Sequence, residues 1–172
     1  EKLGYDKYLS EHLPQLRKVM SKDITKILGK SYIKAIFAEK YFSHIIKLYQ
    51  NDILTKKWSL SKETQLYWTA RSYIKRKNIP EGRSTIYKLE RLDPKSMHLP
   101  ILYDTFASRY MLDSEIKKAQ FWWNRLLKKF PKHRLAHKSA WRLAWSHKQN
   151  NNIKSALGYL KRGLKTRIFN SE

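Results

Sequence analysis

Apolar positions between residues 61 and 167 recur in a fixed register of 37. The segment LYWTARSYIKRKNIPEGRSTIYKL (66–89) returns as YDTFASRYMLDSEIKKAQFWWNRL (103–126) and again as AWRLAWSHKQNNNIKSALGYLKRG (140–163). Each unit places its apolar residues at helical spacing, breaks at a polar turn, and resumes at helical spacing. Leu66, Ala70, Tyr73 and Ile74 predict one helix, and Ile86 and Leu89 a second. Tyr103, Ala107 and Tyr110 followed by Ala119, Trp123 and Leu126 predict the next pair. Ala140, Ala144 and His147 followed by Ala156, Leu160 and Gly163 predict the last. Ser61 reads as an N-cap, Pro80 as an early helical residue and Asp93-Pro94 as a stop. Pro131 ends the second unit, and Asn150-Asn151-Asn152 form the turn of the third. No window alternates apolar and polar residues for long, so strands are not expected.

Small residues recur where the two helices of a unit would cross: Ala70, Ala107 and Ala144 on the first helix, Gly82, Ala119 and Ala156 on the second. A small side chain there lets the axes approach closely, and larger neighbours fill the space on either side. This predicts an all-α fold: a right-handed α-solenoid of tetratricopeptide-like helix pairs, slightly longer than the usual period of about 34 residues. The units fall at about 61–97, 98–134 and 135–169 within a segment 61–172, and residues 1–60 form N-terminal helices that cap it. Through residue 30 the chain predicts short helical pieces carrying Leu9, Leu13, Leu16 and Met20, interrupted at Pro14 and Gly29. Residues 31–50 predict one helix of about five turns, with Ile33, Ile36, Phe37, Tyr41, Ile45 and Leu48 on its apolar face. Asn51-Asp52 ends it and caps a short piece containing Leu54 and Trp58.

Composition then narrows the partner. Lys and Arg number 37 against 14 Asp and Glu, a formal charge of +23. That excess favours an anionic polymer or surface, although a solubilising Lys-rich exterior gives the same balance. Cysteine is absent, which removes disulfides and thiolate chemistry. No apolar run is long enough to span a bilayer. Residue 1 is Glu, with no initiator Met and no signal peptide, so a processed form or an excised segment is expected.

In such a solenoid the first helices line the concave side, which gives Tyr67, Arg71, Lys75, Lys138, Trp141, Trp145 and Lys148 as candidate ligand-binding residues, with Asp104 among them. Aromatic rings stack on sugars or bases, and the cations pair with carboxylates or phosphates. For Trp141 and Trp145 the alternative is packing between units. On the second helices, Lys88, Arg125 and Arg162 are equivalent, as are Arg91, Lys128 and Lys165. They predict a basic ladder on the convex side, or simply a solvated outer face. His133 and His137 stand i, i+4, but no third ligand completes a set, and Lys132 and Arg134 would repel a cation. No metal and no cofactor is expected. No phosphate loop, paired carboxylates or Ser-His-Asp arrangement is present, so the chain shows no active site of its own.

The segments SAWRLAW (139–145), SALGYLKRG (155–163) and LYWTARSY (66–73) resemble the N-terminal superhelical region of soluble lytic transglycosylases over residues 61–167. The resemblance implies a periplasmic α-superhelix forming a basic ring or horseshoe around peptidoglycan strands. It also implies positioning roles for Tyr67, Trp68, Arg71, Trp141, Arg142 and Trp145. In that family a separate C-terminal domain supplies the catalytic Glu, and no segment here resembles its Glu-Ser motif. The expected function is therefore a non-catalytic module that binds peptidoglycan, as part of or partner to such an enzyme. The alternative is a scaffold for protein or RNA like the half-a-tetratricopeptide repeats, located in the cytoplasm or nucleus, with +23 suited to RNA.

Overall fold

The computed structural model describes residues 21–168, and all of their regular structure is helical. The expected kink at Pro14 and the stripe from Leu9 to Met20 lie outside the described residues. The helices are α1 (Lys22–Ala38), α2 (Phe42–Gln50), α3 (Ile53–Lys56), α4 (Lys62–Lys75), α5 (Ile79–Leu92), α6 (Leu99–Leu112), α7 (Ile116–Lys129), α8 (Arg134–Gln149) and α9 (Ile153–Ile168). Consecutive helices pack as pairs, α4 with α5, α6 with α7 and α8 with α9, and the pairs stack in order. The fold is an α-solenoid of tetratricopeptide-like pairs.

Local signals set the helix ends. The Ser61 side chain accepts the Thr64 N–H at the start of α4, and Asn78 accepts the Glu81 N–H at the start of α5. Each satisfies a donor that the first turn leaves without an intrahelical partner. Inside the pairs, Ala70, Ala107, Ala119 and Ala144 are buried, as is Gly82, at the crossing positions the sequence marks. A Cβ on Gly82 would stand 3.3 Å from Ile74 and 3.4 Å from Phe106, so this crossing has no slack.

Residues 31–50 are not one helix. The chain leaves α1 at Glu39, and Lys40 takes φ 66° before α2 begins. The same turn recurs at Lys77 (φ 62°), Ser114 (φ 60°) and Asn151 (φ 56°), each 37 residues after the last. Its backbone hydrogen bonds recur too: Tyr41 N–H to Ile36 O, Asn78 to Tyr73, Glu115 to Tyr110 and Asn152 to His147, at 2.8–3.0 Å. With the three-residue bonds from Lys40, Lys77, Ser114 and Asn151 themselves, at 3.0–3.1 Å, this is the Schellman closure, which satisfies the last carbonyls of a helix through one left-handed residue. The repeat therefore reaches one pair further toward the N-terminus than the sequence shows, and α1/α2 is a fourth pair in the same register. There the crossing positions are Ile33 and Ile45, both fully buried, and the bulk of these residues hides the pattern.

Gly29 does not interrupt α1 either. It lies inside the helix, where a Cβ would meet Trp58 Cβ at 2.7 Å and the Trp58 carbonyl at 3.0 Å. It is there for close approach. Trp58 stacks on Tyr32 with ring centroids 4.7 Å apart, and the α1/α2 pair encloses its own core of Ile33, Ile36, Ile45, Leu48, Leu54, Trp58 and Leu60. Gln65 fastens the intervening linker, its amide donating to Leu60 O at 2.7 Å and to Thr55 Oγ1 at 2.9 Å. A second core runs through α4–α8, and Tyr49 and Trp68 pack against both.

Candidate functional site

Three of the predicted binding residues belong to α4 and four to α8, and the structure does not gather them into one site. Tyr67 is buried, its ring stacked on His98 at 4.2 Å. Arg71 lies over the rings of Phe37, Tyr67 and Trp68 and donates to Tyr67 Oη at 2.9 Å. These two side chains join neighbouring pairs. Lys75 is exposed at the end of α4. Asp104 is engaged as well: it accepts Trp123 Nε1–H at 3.2 Å and forms an ion pair with Arg142.

On α8 the arrangement is different. Lys138, Trp141, Trp145 and Lys148 form a single exposed stripe, spaced 3, 4 and 3. The two indoles lie nearly parallel, 10° apart with centroids at 5.9 Å, and the Lys148 ammonium stands 5.2 Å from the Trp145 ring. Beside them α9 presents Ile153, Leu157, Leu160 and Leu164, again at spacings of 4, 3 and 4. These six apolar side chains are 42–60% exposed. Between the stripes runs a cleft of about 190 Å³, lined by Trp141, Ala144, Trp145, Lys148, Ala156 and Leu160. Sequence reasoning found the Trp pair and missed Ile153, Leu157 and Leu164. Their spacing was legible, but position 160 was read only as packing.

The basic ladder divides. Lys88, Arg91, Lys128, Arg162 and Lys165 are exposed. Arg125 is half-buried and withdrawn into a clasp between pairs: its guanidinium donates to Glu90 at 3.0 and 2.6 Å. Lys129 donates to the same carboxylate at 2.9 Å, and the Tyr103 hydroxyl donates to it too. Burial alone would raise the Glu90 carboxyl, but the bonds from Arg125, Tyr103 and Lys129 outweigh it and hold the group at about 2. Burial and the adjoining Glu90 raise the Tyr103 phenol above its ordinary range. Lys128, Arg162 and Lys165 meet Lys132 around a groove of about 600 Å³ between the ends of α7 and α9, floored by Leu127 and Pro131. His133 caps α8 by accepting the Leu135 N–H at 3.2 Å, and His137 Nδ1 bonds the Gly163 carbonyl at 3.0 Å, so both imidazoles serve the helix ends and the α8/α9 contact.

No family model matches the sequence, and no curated protein matches it. Among solved structures, one titled "MamA MSR-1 C2" shares the fold with a TM-score of 0.52 at 11% identity, covering 96% of this chain and 95% of that one. At that identity the likeness is one of fold.

Proposed function

We propose that this chain is a non-catalytic α-solenoid scaffold that binds a polypeptide partner. One observation carries the reading. Aromatic and charged residues of the inner pairs hold neighbouring pairs together, whereas α8 and α9 leave six large apolar side chains in water on one continuous face. Contiguous apolar surface of this kind marks an interaction site far more often than idle exterior. Site-specific photo-crosslinking tests it, with benzoylphenylalanine placed at Lys148 on that face and at Lys75 away from it. Adducts to protein at either position support the scaffold reading. Adducts to glycan or RNA alone would end it.

The parallel indoles of Trp141 and Trp145 with Lys148 alongside favour a second reading, in which sugar rings stack on the pair and the ammonium meets a peptide carboxylate. The module would then position peptidoglycan in the periplasm, as part of or partner to a lytic transglycosylase. Retention on purified sacculi at about 0.15 M salt, lost on Trp145→Ala, would separate this reading from generic cation binding.

A further inference from the structure

The exposed face of α8/α9 has a known counterpart inside the molecule. In the 37-residue register, Trp141 corresponds to Asp104, Trp145 to Ser108, Leu157 to Gln120, Leu160 to Trp123 and Leu164 to Leu127. Four of those five counterparts meet α8. Asp104 and Ser108 accept hydrogen bonds from Arg142, Gln120 donates to Ser146 Oγ at 2.7 Å, and Trp123 lies under the Arg142 guanidinium at 5.4 Å. Leu127, like Trp123, is buried. One pair earlier the same face meets the start of the following pair at two of these positions, with Tyr67 stacked on His98 and Glu90 accepting the Tyr103 hydroxyl of α6. Twice, then, this face receives the first helix of the following pair. At α8/α9 it receives none from the described residues, and its polar members have become Trp, Trp and Leu.

Charge identifies what suits it. The sequence carries no Asp or Glu between Glu115 and Glu172, while α8 and α9 together carry nine Lys and Arg. Lys138 and Lys148 flank the Trp pair on α8, and Lys154, Lys161 and Lys165 are exposed on α9. A second copy, itself at +23, would bring like charge against like. We propose that the α8/α9 face docks an amphipathic helix of a partner protein, with an apolar stripe that fills the Trp141–Leu160 cleft and acidic flanks that meet these lysines. This is helix-in-groove recognition through anchors at i, i+3 and i+4, and it deepens the scaffold reading on which it rests.

Three synthetic helices of about six turns test it by calorimetry on the whole chain: Leu stripe with Glu flanks, Leu stripe with Lys flanks, and Ser stripe with Glu flanks. The expected result is saturable binding of the first alone, weakened at least tenfold by Leu157→Asp and by Trp145→Ala, and less so by Lys148→Glu. Circular dichroism identifies any variant that fails to fold; since the substituted side chains are exposed, each is expected to keep the parent melting curve. Equal binding of the Ser-striped helix would reduce the effect to charge and overturn the proposal. So would absence of binding, or a dimer in sedimentation that Leu157→Asp dissolves. If the helices fail while protein adducts form from Lys75 or Lys148, the chemistry assigned to this face is wrong and the scaffold reading survives. If no protein adduct forms at either position, the scaffold reading falls too.

Discussion

The α6/α7 pair and the α8/α9 pair follow one plan and differ in the face each presents beyond itself. At α6/α7 that face is mixed: Asp104, Ser108 and Gln120 fix the register by directed bonds, and Trp123 and Leu127 supply apolar area. At α8/α9 the directed bonds are gone and apolar area remains. A hydrogen-bonded ion pair positions a partner closely, but its desolvation offsets much of its attraction. Apolar surface is less particular about register and stabilises in proportion to the area removed from water. The inner face thus suits a permanent neighbour of fixed geometry. The outer one places no such demand on register.

The comparison can be broken first at Glu90, where one carboxylate gathers three donors at the joint between α4/α5 and α6/α7. Glu90→Ala leaves Arg125 and Tyr103 without their acceptor, and chemical denaturation should show a loss of about 3 kcal/mol. The same joint predicts an acid limit. A carboxyl held at about 2 in the fold against an ordinary 4.5 contributes stability that is full above about pH 4.5 and is lost as pH falls toward 2. Thermal melts across that window should descend for the parent and lose much of that descent in Glu90→Gln. A step smaller, Asp104→Ala should cost about 2 kcal/mol, because the Trp123 indole loses its acceptor and the half-buried Arg142 loses its counter-charge, keeping only Ser108. The register-equivalent Trp141→Ala should cost under about 0.5 kcal/mol, as substitutions at exposed positions usually do. If both cost the same, the two faces do not differ in what they hold together.

The sharpest sign-reversed test lies in the turns. Ser114 and Lys77 hold left-handed backbone that a side chain resists by about 1 kcal/mol. Ser114→Gly should stabilise by part of that, since glycine also enlarges the unfolded ensemble. The melting temperature would rise slightly.

Three pairs were legible because Ala70, Ala107 and Ala144, with their partners at 82, 119 and 156, mark helix crossings by size. The fourth was not, because Ile33 and Ile45 occupy those places and the turn at Lys40 is held by backbone bonds that no side chain announces. Gly29 misled in the opposite direction: a glycine reads as a break, yet here it is needed only for contact with Trp58. At the candidate site the Trp pair was legible as composition. Its setting was not, because exposure depends on what a face meets in three dimensions, and a register comparison is informative only once Asp104 and Ser108 are known to touch the next pair.

The repeated turn has a mechanical consequence. Each pair is a stiff elbow, closed by short backbone bonds and a crowded crossing at positions such as Gly82. The joints between elbows share the apolar core and add side-chain ties that cross from pair to pair, among them the Glu90 and Asp104 ion pairs. These pairs are largely withdrawn from water, so added salt screens them little, and the stacking of the elbows, like the helix content, should hold as ionic strength rises.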